Sequence, residues 1–224
     1  MRRSIPAALV LLATLSMVAC AGGTPPSPAD GQQGQTQAAV PGELPAAPED
    51  TTWYDDVEMA QAQVEADVDT VWLAGWFAPE ALDGPTVADM EPRHRKAWGL
   101  SPDPTREELA RAAFAALEGE GPVDLLHPLE GVQLRLLSAG VEDRDGGPTA
   151  VLDFGAGISA TNQLGSAGGQ AAKAQFLAMV AHYFPDARQV VVTVEGRDAP
   201  ALFHDEVWDA PVPLEPTAGQ EGAA

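Results

Sequence analysis

Four histidines are the side chains with the clearest capacity for acid–base or metal chemistry: His94, His127, His182 and His204. Their separations match no zinc-ligand spacing. His182 falls near the end of a predicted helix, where a cationic imidazole suits the helix terminus. His204 stands beside Asp205, Glu206 and Asp209, a set that resembles a metal cluster. Because these residues follow the last predicted strand of an acidic chain, a solvated loop is favoured over a metal site.

Ser166 lies in a glycine-rich stretch that could suggest a nucleophile or a phosphate loop. A nucleophile elbow needs glycine two residues before the serine, and Leu164 stands there. Gly168 and Gly169 lack the lysine and the spacing of a phosphate loop. We therefore predict that Ser166 caps a helix. Since the sequence shows no triad, paired-acid or redox pattern, we expect a non-enzymatic protein without a metal or cofactor.

The charge balance is strongly acidic. The chain has 12 Lys and Arg against 33 Asp and Glu, a formal net charge of −21. Such a chain repels phosphate backbones, so nucleic acid is excluded as a partner. Acidic segments such as residues 142–145 leave divalent-cation binding open as an alternative.

Five tryptophans lie outside the two clearest predicted helices: Trp53, Trp72, Trp76, Trp98 and Trp208. Tryptophans in such positions are frequent interface anchors. Core packing is favoured for Trp72 and Trp76. Trp98, between Lys96 and Gly99 in a segment that looks irregular, is the candidate contact with a protein partner.

The N-terminus has the order of a secretory signal. A basic start at Arg2 and Arg3 precedes an apolar run over residues 7–15, and Ala19 stands before Cys20. The run is shorter than the roughly 20 residues of a membrane span. A cysteine directly after a small residue resembles the bacterial lipobox, which implies cleavage before Cys20 and fatty acylation there. Cys20 is the only cysteine, so no intramolecular disulfide can form.

Composition divides the chain into four parts. Residues 1–19 are the predicted lipoprotein signal peptide, and residues 20–50 are the lipidated cysteine with a proline-rich, disordered linker. Residues 51–214 suit one domain, with its core over 70–200, and residues 215–224 are predicted to be a disordered tail.

Hydrophobic patterns place the first half of this domain. Residues 52–68 suggest a short helix, and the β-branched and aromatic run 70–77 predicts a strand. Residues 90–104 look irregular. A helix is predicted to begin at Thr105, because Thr105 and Glu108 have the spacing of a capping box and apolar residues then recur at three and four.

The second half continues with two strands over 132–136 and 150–154, joined by a loose acidic loop over 142–148. A second helix runs from about residue 166 to 183, and a valine-rich central strand covers 189–195. The order βαββαβ predicts an α+β fold, a two-layer sandwich of a small mixed or antiparallel sheet with two helices on one face.

From Thr105 onward the chain resembles the GerMN domain family of sporulation and spore-germination lipoproteins. The matching features are Ala115-Ala116-Leu117 before Gly121-Pro122, the strand 132–137, Val151-Leu152-Asp153-Phe154, the helix 169–184, and the valine strand that ends in Glu195-Gly196. The run 70–77 corresponds to the opening strand of the family. The chain departs from the family at Gly155, where a serine is frequent, and in the long segment 78–104.

The resemblance implies a secreted or lipid-anchored protein with a fold related to ring-building domains of secretion and sporulation machines. The family acts through protein contacts and has no known catalytic residues to transfer. The sequence therefore predicts a lipoprotein on the extracytoplasmic face of a cell membrane whose domain contacts another envelope protein. The alternative is an envelope binding module for a cell-wall glycan or a divalent cation.

Overall fold

The structure is a computed structural model that describes residues 52–58, 61, 70–79, 84–97, 99–199, 201–204, 208 and 210–215. In chain order its strands and α-helices are β1 (Trp72–Pro79), β2 (Glu91–Lys96), α1 (Arg106–Ala116), β3 (Leu125–Leu126), β4 (Leu136–Arg144), β5 (Gly147–Phe154), α2 (Gly165–Tyr183), β6 (Gln189–Val194), β7 (Arg197–Asp198) and β8 (Val212–Pro213). Short 3₁₀ helices span Val87–Asp89 and Ala156–Gln163. Most of the predicted helix over 52–68 lies outside the described residues.

Strand β1 confirms the prediction for residues 70–77. The six residues between its ends are all buried, as the apolar run requires. It pairs antiparallel with β2, from Trp72 opposite Lys96 to Phe77 opposite Glu91, and with β3 at Ala78. These strands form a three-stranded sheet in the order β2-β1-β3.

Strand β2 shows that the prediction of irregular structure over 90–104 is wrong for residues 91–96. Its sequence, Glu-Pro-Arg-His-Arg-Lys, has no apolar alternation that would reveal a strand. The buried Arg93 guanidinium is held by Asp55, at 3.0 Å from Nε, and by Asp124, at 2.8 Å from Nη2. The Arg95 guanidinium lies 5.2 Å from the ring centroid of Trp53. Charge pairing and ring contact thus hold a strand that lacks its own hydrophobic pattern.

Side chains of α2 form hydrogen bonds with the backbone of β1 along the part of its edge that does not pair with β3. The Tyr183 hydroxyl accepts a hydrogen bond from the Ala74 N–H at 2.9 Å and donates one to the Ala74 carbonyl at 2.9 Å. Gln175 Nε2 donates to the Trp76 carbonyl at 2.6 Å, while its Oε1 accepts from the Leu129 N–H at 3.1 Å. Burial raises the pKa of Tyr183, so its hydroxyl remains protonated. Two polar side chains therefore replace a neighbouring strand.

Helix α1 begins as the sequence predicts. The Thr105 hydroxyl accepts from the Glu108 N–H at 3.2 Å, and the Glu108 carboxylate accepts from the Thr105 N–H at 2.8 Å. This reciprocal capping box satisfies backbone donors that have no partner inside the helix. These hydrogen bonds also lower the pKa of Glu108, because they favour the carboxylate.

The larger sheet has the order β4-β5-β6-β7, and β8 also pairs with β6. The predicted loose loop over 142–148 is wrong, since β4 continues to Arg144 and β5 begins at Gly147. The chain turns at Asp145 and Gly146, where the positive φ of Gly146 (100°) suits glycine. Residues 132–135 lie before β4, although Val132 and Leu134 are buried.

The valine-rich strand β6 runs parallel to β5, in register from Gln189 opposite Thr149 to Val194 opposite Phe154. β7 and β8 pair with its ends. This arrangement confirms the predicted central strand over 189–195.

Helix α2 confirms the predicted second helix, but the prediction that Ser166 caps it is wrong. The helix begins at Gly165, its N-cap is Leu164, and no side chain bonds to the cap. The preceding 3₁₀ helix, which the sequence did not reveal, brings the chain from β5 to this start. Gly169 has a packing role, because a Cβ there would lie 2.7 Å from the Phe203 carbonyl oxygen.

Phe176, in the middle of α2, is the centre of the hydrophobic core. Its ring centroid lies 5.2 Å from that of Phe203, 5.6 Å from Phe114, 5.8 Å from Phe154 and 5.8 Å from Trp208. These rings come from α1, β5 and the segment after β7. One fully buried ring therefore joins the helices to the larger sheet.

The α+β class predicted from the sequence is confirmed. The predicted single sheet is wrong, since β1 hydrogen-bonds to β2 and β3 and not to β4, β5 or β6. The reason is that β2, invisible in the hydrophobic pattern, takes one edge of β1, and α2 side chains take part of the other.

We expect Tyr183→Phe to lower the free energy of unfolding by about 1–3 kcal/mol, because it leaves two buried backbone groups of Ala74 without a partner. Urea unfolding monitored by circular dichroism measures the change. Tyr54→Phe is the matched control, since no hydrogen bond to the Tyr54 hydroxyl occurs in the described structure and the ring contact with Trp72 is kept. Equal losses in the two variants would contradict the role given to Tyr183.

Candidate functional site

The two site residues that the sequence singles out most strongly, Cys20 and Trp98, lie outside the described residues. The predicted signal peptide, linker and tail lie outside them too, apart from Glu215. Within the described part, no helix is long and apolar enough to cross a bilayer. Lipid attachment at Cys20 and partner contact at Trp98 therefore remain predictions.

The other tryptophans are largely core residues. Trp53, Trp76 and Trp208 are at most 8% exposed, which confirms the packing role of Trp76. Trp72 is only partly buried, and it lines a cavity between β1, β2, α1 and α2.

This cavity has a volume of about 460 Å³ and brings together two histidines that lie far apart in the sequence. His94 comes from β2 and His182 from the last turn of α2. Trp72, Arg106 and Tyr183 also line it. His127 does not contribute to this cavity, and His204 is exposed elsewhere. The three acidic neighbours of His204 in the sequence lie outside the described residues.

The cavity favours neutral imidazoles. Burial lowers the pKa of His94, and burial together with the charge of His94 lowers the pKa of His182. His94 Nδ1 and Trp72 Nε1 are buried without a hydrogen-bond partner. Both atoms are inaccessible to water, so neither faces the open part of the cavity.

The described residues contain no group of three or more His, Cys, Asp or Glu side chains that could hold a metal ion. The acidic stretch 142–145, proposed from the sequence as a cation loop, is mostly strand. Glu142 there is engaged with Arg144 at 2.9 Å.

The outer edge of β4 is the second candidate site. The Pro148 carbonyl accepts from Arg188 N–H and the Phe154 carbonyl accepts from Glu195 N–H, so the even-numbered residues of β5 direct their backbone groups toward β6. Odd-numbered residues must then face β4, since backbone groups alternate along a strand. The register follows: Ser138, Gly140, Glu142 and Arg144 bond to β5.

The N–H and C=O groups of Ala139, Val141 and Asp143 consequently point away from the sheet. No strand pairs with this edge in the described structure. Arg111 covers only the start of β4, where its guanidinium donates to the carbonyl oxygens of Leu136 and Leu137 at 3.2 and 3.3 Å. The free part of the strand is therefore residues 139–144, which we call the β4 edge.

The β4 edge combines an apolar and an acidic side chain on one face. Val141 lies opposite Ala150 of the core face and is 39% exposed. Asp143, two residues further along the same face, is exposed and makes no ion pair among the described residues. The sequence did not predict this edge, because the charged residues after Val141 are typical of a loop.

Comparisons with solved structures find chains of similar structure. Over 67% of this chain, the structure is similar to the tandem GerMN domains of the sporulation protein GerM from Bacillus subtilis, with 18% identity and a TM-score of 0.38. A candidate lipoprotein from Clostridium perfringens matches over 67% of this chain and 92% of its own, with 15% identity and a TM-score of 0.33.

The chain spans about half, 47%, of the length of the tandem GerMN structure. No protein-family model and no curated protein sequence matches the chain. The first of the two structures carries the name of the family that the sequence resembles.

His127 is a buried titratable group outside both candidate sites. Its ring lies 5.1 Å from that of Phe77, and neither of its ring nitrogens has a hydrogen-bond partner. Burial lowers the pKa of His127 to about 4. The imidazole is therefore neutral in the folded protein at neutral pH.

This burial predicts a pH-dependent stability. Between the unfolded pKa of about 6.5 and the folded value of about 4, only the unfolded chain takes up the proton, so acidification favours unfolding. Between pH 7 and pH 4 the wild type should therefore lose unfolding free energy through His127, and His127→Leu should not. Because His127 is not completely buried, we expect this difference to be about 2 kcal/mol. Urea unfolding at several pH values measures this, and parallel losses in both proteins would contradict it.

Proposed function

We propose that the protein is a lipoprotein of the cell envelope, anchored by acyl chains at Cys20, whose α+β domain binds another protein through the β4 edge. The observation that carries the docking function is the unpaired backbone of Ala139, Val141 and Asp143. An edge of this kind is a template for the addition of a strand from another chain.

The anchor part of the proposal rests on the sequence. Cys20 follows Ala19 at the end of an apolar run that has a basic start. Diacylglyceryl attachment and N-acylation would supply more than one hydrocarbon chain, which suffices for stable membrane attachment. The acidic domain would be repelled by anionic head groups, so membrane residence would depend on these acyl chains.

The linker would separate the two functions. Residues 21–50 contain six prolines and no large aromatic residue. A chain of this composition would act as an extended tether. It would hold the domain away from the membrane surface, where a protein partner could reach it, with Trp98 as a further candidate contact.

The role is proposed to be non-catalytic. The family that the sequence resembles offers no catalytic residues, and the buried Tyr183 and Gln175 serve the edge of β1. Extracytoplasmic protein contact is the function that a tethered domain with an open strand edge supports best.

A specific observation favours a second candidate function, the binding of a neutral sugar in the cavity of His94 and His182. Trp72 offers an aromatic surface, and the side chains of His94, Arg106 and His182 also line the cavity. A cell-wall glycan would supply hydroxyl groups for these polar side chains.

For the anchor, we expect Cys20→Ala to abolish labelling by a palmitate analogue and to leave the protein as a precursor or release it from membranes. The thiol is the only one in the chain, so no other cysteine could accept the lipid. Membrane fractionation and metabolic labelling of intact cells measure both effects.

Ser16→Ala is the matched control, since it changes the same leader and keeps the thiol. We expect it to be labelled and membrane-bound as the wild type. A Cys20→Ala protein of mature size that still carries lipid would refute the proposed anchor.

For the second function, calorimetric titration with soluble cell-wall glycan fragments should give binding heat at micromolar ligand, reduced at least tenfold in affinity by His94→Ala if a buried hydrogen bond is lost. His204→Ala, at an exposed histidine outside the cavity, serves as the control. Absence of binding heat would exclude this function and leave protein docking.

A further inference from the structure

We infer that the β4 edge receives an extended, basic segment of a partner protein, which adds a strand beside β4. This inference rests on the proposed docking function and specifies its partner. The segment would place an apolar side chain against Val141 and a Lys or Arg against Asp143.

The backbone of the β4 edge sets the geometry. The N–H and C=O groups of Ala139, Val141 and Asp143 alternate with those that bond to β5, so an added strand would form hydrogen bonds at every second residue. Leu137 lies at an irregularity in the β4–β5 register, and Arg111 holds its carbonyl. Pairing would therefore begin after this point.

Side-chain charge selects the type of strand. Val141 and Asp143 project on the same face, and both are exposed. Directly opposite cross-strand neighbours of matching character contribute about 0.2–1 kcal/mol each, whereas like charges are unfavourable. A strand that places a cation at Asp143 and an apolar residue at Val141 satisfies both positions.

Apart from Arg2 and Arg3, the sequence outside residues 93–197 contains no basic segment of this kind. No Lys or Arg occurs between Arg3 and Arg93, and none follows Arg197. Residues 4–52 and the C-terminal segment therefore carry no cation for Asp143.

A second copy of the chain is disfavoured by charge as well. Each copy carries a formal net charge of −21, so two copies repel each other. The acidic edge thus discourages self-pairing, a common device on exposed strands. A basic partner is not repelled, so the negative charge of the chain favours basic partners over a second copy.

The test uses the ¹⁵N-labelled full chain in detergent micelles and the synthetic peptide Thr-Lys-Thr-Val-Thr-Lys-Thr, in which lysine and valine share one face. We expect slowed amide exchange at Ala139, Val141 and Asp143, whose N–H groups are unpaired in the free protein. The analogue Thr-Glu-Thr-Val-Thr-Glu-Thr should cause no protection.

Two variants probe the charge and the backbone separately. Asp143→Lys should weaken lysine-peptide binding about fivefold or more, the loss expected for one exposed ion pair and added repulsion. Val141→Pro should abolish the exchange protection, because it removes an outward N–H without removing a bond to β5. Dispersed amide resonances show whether the proline variant is folded. If the proline variant does not fold, the Asp143→Lys variant still tests the inference.

Asp103→Lys is the matched control, since it makes the same charge change at an exposed position outside the sheet. Equal weakening by the two lysine variants, or peptide binding without alternate-residue protection, would overturn the inference, because either result indicates diffuse attraction to an acidic surface.

Photo-crosslinking residues placed at Val141 and at Val123 in intact cells separate this inference from the proposed function. Val123 is fully exposed, at 101%, and lies outside β4. Protein adducts at Val141 without exchange protection by the lysine peptide would refute the basic strand but retain docking at the β4 edge, whereas adducts at Val123 alone would refute both. The absence of adducts at both positions would count against docking itself.

Discussion

The structure depends on the backbone requirements of β1. This strand is buried along its centre, so its N–H and C=O groups cannot rely on water for hydrogen bonds. Tyr183 and Gln175 meet this requirement from α2, which fixes the rotation and height of the helix against the strand. The same placement puts Phe176 among the core rings and brings His182 beside the cavity that contains His94.

Charged side chains have different roles in the two sheets. In the small sheet, Arg93 joins β2 to Asp55 and Asp124, so a strand without apolar alternation is held by ion pairs. On the larger sheet, Asp143 stands on an unpaired edge and has no cation of its own among the described residues. Both features follow from an acidic composition in which cations are scarce.

Local signals in the sequence predicted much of the secondary structure. The capping box of Thr105, the apolar periodicity of α2 and the valine run of β6 all have short-range physical causes, and each led to the correct element. They also gave the α+β class and the resemblance to GerMN domains. The predicted signal peptide and the predicted lipidation at Cys20 also rest on adjacent residues.

The sequence by itself determined β1, the two α-helices, the central position of β6 and the acidic balance. The tertiary structure decided that β1 belongs to a separate sheet, that the charged residues 91–96 form a strand, and that β4 extends through an acidic stretch to Arg144. It also brought His94 and His182 to one cavity and left the β4 edge unpaired. These features depend on contacts between residues distant in sequence, whose hydrogen bonds and ion pairs leave no periodic pattern in the chain.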